Sequence, residues 1–334
     1  MLFGFGGAIL SGFLLTVVPN WTGVLPFSNQ TIYAAMVVWL VGRIMMVSVN
    51  WLSSFVVAIA DCAFLPLVTL LLLWPIAAEK KWRDLKVIVG VALIGASNIF
   101  FQLSIYYAFS VLLSIKLAIS AFTMLVIIVG GRMIPAYKNM ERSDVITPKV
   151  KIKHSMFDTF VIFVSLCALA CWSFDLFQTP LPFIALAAGI LNGCRLLKWR
   201  VFPISRSLTM ATLYVGYSFI PLAFLVFSFS FLRDLPSVII HILTIGVMSL
   251  TMLSVMVRLC LRYHGKNFAC RKTRFIFYCL ISSLALRTIA AFTVDFQFLI
   301  YISAAILFGM AFIFFILDFY RLAFSIINNR DFTR

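Results

Sequence analysis

Residues 53–77 read SSFVVAIADCAFLPLVTLLLLWPIA and contain one charged side chain, Asp61. A helix needs roughly 20 mostly apolar residues to cross the hydrocarbon core of a bilayer, so this stretch predicts a transmembrane helix. Backbone groups in lipid must be hydrogen-bonded within the protein, and a helix satisfies them within its own segment. Lys80 and Lys81 follow directly, as expected for a connector at a membrane surface.

The rest of the chain repeats this pattern. Of its 334 residues, 63% are hydrophobic and 11% are charged, and the mean hydropathy is +1.09. Soluble domains are about 45–50% apolar and about 25% charged. The composition therefore predicts an all-α polytopic transmembrane bundle, and it excludes a soluble enzyme, a disordered tail and a disulfide-stapled secreted module. Eleven apolar runs are long enough to span: residues 1–18, 31–49, 53–77, 86–101, 108–129, 157–177, 181–197, 209–231, 238–261, 275–294 and 298–323.

Basic residues are distributed unevenly between the predicted connectors. The odd-numbered connectors and the C-terminal tail contain 23 of the 27 lysines and arginines, whereas the opposite connectors contain Arg43 and Arg233. Since cytoplasmic loops are enriched in basic residues, we predict a cytoplasmic C-terminus and an N-terminus outside. The longest polar connector, residues 132–155, is predicted to be a cytoplasmic basic loop within a single membrane domain, residues 1–334. Contact with the lipid bilayer explains the net charge of +16 without a nucleic-acid partner.

Asp61, Lys116 and Arg287 lie well inside their predicted spans. At about 1.5 Å per helical residue, each lies at a depth of ~12 Å from the outer end of its helix. Ionisable residues within a membrane are costly and are usually functional, so we predict a polar site in the outer half of the bundle. A purely structural Asp61–Lys116 ion pair is the alternative.

The ninth run contains His241, Met248 and Met252, and His264 follows it. On an α-helix, residues seven apart share a face, and Met252 continues the stripe at a four-residue step. Thioether suits Cu(I) and imidazole suits copper or haem iron, so His241, Met248 and Met252 are predicted metal ligands. Core packing is the alternative explanation for the methionines. His241 and His264 are candidate cofactor ligands at two separate sites, because 23 helical residues place them ~35 Å apart.

Several stretches along the chain resemble the NnrS family. The longest is the opening MLFGF (residues 1–5) with SGFLLTVVPNWTG at residues 11–23. Shorter collinear matches are ADCAFLPL at 60–67, GGRMIP at 130–135, NGCRLLKWR at 192–200 and HILTIG at 241–246. Family members have a further helix and a histidine-bearing segment before the MLFGF stretch. No charged residue precedes Arg43, so the topology also predicts a helix upstream of Met1.

The resemblance implies a bacterial inner-membrane protein of about twelve helices that contains haem and copper and functions in nitric oxide metabolism and relief of nitrosative stress. It implies that His241 is a metal or haem ligand, with nitric oxide as a possible small-molecule partner. At residues 262–266 the chain has RYHGK where the family has GHTGR, so His264 is displaced by one position. Two other functions stay open: a transporter or channel whose pathway is lined by Asp61, Lys116 and Arg287, and a cofactor-free assembly protein.

Overall fold

The computed structural model describes residues 2–141, 155–199, 208–229, 236–263, 271–293 and 296–328. Every regular element within these ranges is helical, which confirms the predicted all-α fold. The helices of the described residues correspond one to one to the eleven predicted runs. Their bounds are α1 (Leu2–Thr22), α2 (Asn29–Val47), α3 (Ser54–Ala78), α4 (Leu85–Tyr106), α5 (Leu112–Glu141), α6 (Met156–Ser173), α7 (Leu181–Lys198), α8 (Leu208–Ser228), α9 (Pro236–His241, Ile242–Ser249 and Leu250–Tyr263), α10 (Arg271–Ile289) and α11 (Gln297–Asn328).

Ten of these helices are long and apolar enough to cross a membrane, counted over the described residues. The helix outside that group is α10, which has basic residues at Arg271, Lys272 and Arg274 and again at Arg287. The polytopic membrane architecture predicted from composition is therefore confirmed. The orientation of the two termini stays a prediction.

Local sequence explains where the first helices begin, break and end. Gly23 has a φ of 79°, the left-handed conformation that favours glycine, and its N–H donates to the carbonyl of Pro19 at 2.8 Å. Ser28 caps α2 by accepting a hydrogen bond from the backbone N–H of Thr31. Within α3 the regular helix is interrupted at Ala63, because Pro66 has no N–H to donate to the carbonyl of residue 62.

The connector after α5 begins later than the sequence indicates. The predicted loop starts at residue 132, whereas α5 continues to Glu141. Its last turns are packed: Tyr137 and Lys138 are buried, and Nζ of Lys138 donates to the carbonyl oxygen of Trp199 at 2.6 Å. The polar residues after 131 therefore indicate where the apolar span ends, while the helix extends beyond it. Residues 142–154 of the predicted loop lie outside the described residues.

Two helices contain π-helical turns, at Leu2–Gly6 in α1 and at Ile242–Ser249 in α9. Their backbone hydrogen bonds connect residues five apart, so each turn is wider than an α-helical turn. The hydroxyl of Ser249 also donates five residues back, to the carbonyl of Thr244 at 2.9 Å. Because π-turns inside α-helices occur frequently at functional sites, both segments are candidates for a functional role.

The chain divides into two compact units, residues 1–128 with 169–176 and residues 129–168 with 177–334. The buried side chains of the first unit include Leu14, Leu72 and Phe122. Those of the second include Leu253 and Ile276. The single membrane domain inferred from the sequence stays a prediction.

Candidate functional site

Asp61 lies at the centre of a polar cluster in the first unit. Its buried side chain forms an ion pair with Arg43 of α2 and accepts a hydrogen bond from Nε2 of Gln102 in α4 at 2.8 Å. Asn98, one turn earlier in α4, donates from Nδ2 to the backbone carbonyl of Asp61 at 3.2 Å. Three helices therefore meet at one carboxylate whose charge is neutralised by a guanidinium.

The π-helical start of α1 lies against the same arginine. The indole Nε1 of Trp39 donates to the carbonyl of Gly4 at 2.9 Å, one turn before Arg43 along α2. A Cβ atom built on Gly4 would lie 2.9 Å from Cζ of Arg43, closer than real Cβ atoms approach a neighbour. An alanine at position 4 would therefore require the guanidinium of Arg43 to shift.

Three buried polar atoms of this cluster have no hydrogen-bond partner among the described residues: Nε of Arg43, Oδ1 of Asn98 and Oδ1 of Asp61, the last of which forms the ion pair with Arg43. Buried donors and acceptors are normally satisfied, by protein groups or by ordered water. The cluster therefore offers one donor and one acceptor to water or to a small polar molecule.

Lys116 has a different partner from the one considered in the sequence. Its Nζ donates to both carboxylate oxygens of Asp175, at 2.6 and 2.9 Å, and lies 5.9 Å from the ring centroid of Trp172. Asp61 and Lys116 thus belong to two separate ion pairs, and the structure does not support the direct Asp61–Lys116 pair. Arg287 belongs to the second unit.

His241 ends the first segment of α9, directly before the π-helical turns. Its side chain is half-buried. The guanidinium of Arg287 in α10 stacks over the ring of Tyr301 in α11, 4.6 Å from its centroid. This stacking joins α10 and α11 within the second unit.

The π-helical turns change the relation between His241 and the methionines. The expectation that His241 and Met248 share a face assumes about 3.6 residues per turn throughout. Between them, residues 242–249 form the wider π-turns, so a seven-residue step no longer returns to the same face. Met248 is buried at 4% exposure, and Met252 is partly buried on the following α-helical segment. The assignment of the two methionines as copper ligands stays a prediction. The helix face that Met248 was expected to share with His241, which suggested this assignment, is not present in the structure.

The other histidines, His154 and His264, lie outside the described residues. Within the described ranges no group of three or more His, Cys, Asp or Glu side chains is placed to bind a metal ion. His241 is therefore not part of such a group among the described residues.

A second charged network, around Arg195, was not assigned as a site from the sequence. Arg195 of α7 is 1% exposed. Its Nε donates to Oδ1 of Asp158 in α6 at 2.9 Å, and its Nη1 donates to the hydroxyl of Tyr217 in α8 at 3.0 Å. Tyr217 donates onward to Oδ1 of Asn192 at 3.1 Å. Asn192 in turn donates to the hydroxyl of Ser165 at 2.8 Å, which completes a buried chain of polar groups across three helices.

The sequence contained a signal for this network. Asn192 and Arg195 both fall in the stretch NGCRLLKWR, and Gly131 falls in GGRMIP. A Cβ on Gly131 would lie 2.7 Å from Cζ of Arg195, and one on Gly130 would lie 3.1 Å from the ring of Tyr217. The two adjacent glycines of α5 therefore make space for the two largest members of the network.

A family model described as NnrS protein matches residues 1–325. This chain belongs to the NnrS family. No curated protein and no solved structure matches it. The NnrS resemblance inferred from short motifs is thereby confirmed over nearly the whole chain.

For this NnrS family member, the described donor atoms can be compared with what haem and copper require. The half-buried imidazole of His241 would fit as one ligand to haem iron. Among the described residues no group of three or more His, Cys, Asp or Glu side chains is placed to hold copper, so copper and its ligands stay a prediction.

Proposed function

We propose that this NnrS family member is an integral haem protein of the bacterial inner membrane that functions in the response to nitric oxide and in relief of nitrosative stress. Two observations support the proposal: the family match over residues 1–325 and the position of His241 at the start of a π-helical segment. Copper belongs to the proposal through the family resemblance alone.

His241 is the proposed axial ligand. It lies on α9, directly before the π-helical turns. The half-buried ring leaves part of the imidazole accessible. A haem held by His241 would supply an iron that can bind a diatomic ligand such as nitric oxide. His264 is retained as a proposed second ligand at a separate site, and Met248 and Met252 as proposed copper ligands.

The proposal predicts a haem spectrum that depends on one histidine. The purified full chain should show a Soret band that shifts when nitric oxide is added, and His241→Ala should lose this band while eluting as a folded protein. His154→Ala is the matched control, since it removes a histidine from the predicted loop, and it should retain the wild-type spectrum. Absence of haem from the wild type, or an unchanged spectrum in His241→Ala, would contradict the proposal.

The transporter hypothesis makes the opposite prediction. A pathway lined by Asp61, Lys116 and Arg287 would give uptake into liposomes without any bound metal, and Asp61→Asn would abolish it. The carboxylate of Asp61 is already occupied by Arg43 and Gln102, an arrangement that favours a structural role for it.

A further inference from the structure

The Asp61 cluster of the first unit has hydrogen-bonding capacity that no described protein group uses. Asn98 is 1% exposed, and its Nδ2 donates to the backbone carbonyl of Asp61 at 3.2 Å. Because that carbonyl can only accept, the amide is oriented with Nδ2 toward it, and Oδ1 of Asn98 has no partner among the described residues. The buried Nε of Arg43 likewise has none there. The unused groups are therefore one acceptor and one donor.

Charge restricts the occupant of this site to a neutral molecule. Arg43 is the cation of the cluster and the buried carboxylate of Asp61 is its counter-ion, so the pair has no net charge. A further cation would lie near the guanidinium and a further anion near the carboxylate, and either would add an uncompensated charge to a poorly solvated region. A neutral molecule that both donates and accepts hydrogen bonds can satisfy the two atoms without this cost.

Close helix packing restricts the size of that molecule. A Cβ atom on Gly42, the residue before Arg43, would lie 2.9 Å from the carbonyl oxygen of Ala60, the residue before Asp61. Gly4 of α1 likewise leaves no space for a Cβ beside the guanidinium of Arg43. Because α2 meets α3 and α1 without room for a side chain at these points, water, the smallest molecule of the required chemistry, fits best.

Arg43 lies close enough to a helix end for water to reach it. It precedes the end of α2 at Val47 by one turn, which is ~6 Å along the helix axis. Its side chain is 29% exposed, although Nε itself is buried. Buried water in proteins typically makes about three hydrogen bonds to polar groups that otherwise lack partners. The unused donor and acceptor of the Asp61 cluster are groups of this kind.

We propose that an ordered water molecule is bound in the Asp61 cluster, where it accepts a hydrogen bond from Nε of Arg43 and donates one to Oδ1 of Asn98. The water thereby links α2 to α4 beside the carboxylate of α3. A small alcohol or amide has the same combination of donor and acceptor and is the other source of this chemistry. The site does not require haem, so a failure of the proposed function leaves this inference unaffected.

The experiment measures transfer of magnetisation from water to individual side chains by proton-detected solid-state NMR. The full chain, isotope-labelled in arginine and asparagine, is reconstituted in vesicles of phosphatidylglycerol and phosphatidylethanolamine. The chain offers a matched control for each contact. Nε of the buried Arg195 donates to a carboxylate within the protein, and both amide atoms of the buried Asn192 are hydrogen-bonded to protein groups. Arg43→Lys and Arg195→Lys assign the two arginine signals by removing them.

In the wild type, water should transfer magnetisation to Nε–H of Arg43 and to the side-chain amide of Asn98. The signals of Arg195 and Asn192 should receive none. Asn98→Leu removes the acceptor for the water, so the transfer to Arg43 should be lost. Ser97→Ala is the control variant, because the Ser97 hydroxyl donates only within α4, to the carbonyl of Leu93, and its removal should leave the transfer unchanged.

Three results would overturn the inference. The first is a folded wild type in which Arg43 and Asn98 receive no transfer from water. The second is an undiminished transfer to Arg43 in folded Asn98→Leu, since the water would then not be shared by the two residues. The third is transfer from the carbon-bound protons of a copurifying alcohol or amide, identified by mass spectrometry. If Asn98→Leu does not fold, the wild-type comparison of the two arginines and the two asparagines decides by itself.

Discussion

Replacing Gly131 with alanine is expected to destabilise the protein, although alanine is normally the better helix former. In a helix interior, alanine is favoured over glycine by about 1 kcal/mol. At position 131, however, the added Cβ would lie 2.7 Å from Cζ and 3.1 Å from Nη1 of Arg195. The guanidinium has to move away from Asp158 and Tyr217, to which it donates at 2.9 and 3.0 Å.

The magnitude follows from the burial of Arg195. Separating a buried ion pair costs about 3–5 kcal/mol, because a charge is left without compensation in a poorly solvated site. Subtracting the helical preference for alanine leaves a net loss of about 2–4 kcal/mol for Gly131→Ala. We expect this loss in the free energy of unfolding, measured by circular dichroism as the detergent micelles are enriched in sodium dodecyl sulfate.

Two comparisons test the reasoning. Gly193→Ala, in α7 of the same unit, is the matched control, because a Cβ at position 193 has no neighbouring atom within 4 Å. This variant should be as stable as the wild type or up to about 1 kcal/mol more stable. In an Arg195→Leu background, Gly131→Ala should cost little, because the group it displaces is gone. An equal cost of Gly131→Ala in both backgrounds would refute the steric explanation, since the two substitutions would then be independent.

Two further substitutions compare ion pairs of the first unit by their exposure. Asp61→Asn keeps the acceptor for Gln102 but removes the charge that compensates Arg43. Because the Arg43 side chain is 29% exposed, we expect the free energy of unfolding to fall by an amount toward the lower end of about 3–5 kcal/mol in the same assay. A change below about 1 kcal/mol would show that water solvates Arg43 adequately without Asp61. Lys116→Met should change the free energy of unfolding by no more than about 1 kcal/mol, because Asp175 is 63% exposed and water can replace its partner. A loss as large as that of Asp61→Asn would contradict this ranking of the two ion pairs.

The helices could be predicted from the sequence because the length of an apolar run is a one-dimensional property. The run at residues 53–77 and the helix Ser54–Ala78 agree almost residue for residue. The end of α5 could not be found in this way, because Lys138 is polar in sequence yet buried against the carbonyl of Trp199. A helix end that is stabilised by tertiary contacts leaves no signal in local hydropathy.

The charged residues of the candidate sites were recognisable, but their partners were not. Depth along a helix can be counted from the sequence, whereas the direction in which a side chain points depends on how each helix is rotated against its neighbours. Arg43 shows the difference: it was grouped with connector residues, yet it lies within α2 and pairs with Asp61. In α9 the seven-residue spacing predicts that His241 and Met248 share a helix face. The π-helical turns between them remove that relation, and they cannot be recognised from the spacing of the residues.

The two arginine networks suggest one physical explanation for glycines in motifs that lie far apart in the sequence. Gly4 lies against the guanidinium of Arg43, and Gly131 lies against that of Arg195; in each case a Cβ would overlap the guanidinium. Within a membrane, a guanidinium needs carboxylate, carbonyl or hydroxyl groups around it, and these groups can surround it only if a neighbouring helix approaches closely. Backbone flexibility does not explain these glycines, since both lie within helices at ordinary φ. A Cβ at either glycine would therefore be tolerated better once the neighbouring arginine is replaced, whereas loss of the arginine still leaves its carboxylate partner unpaired.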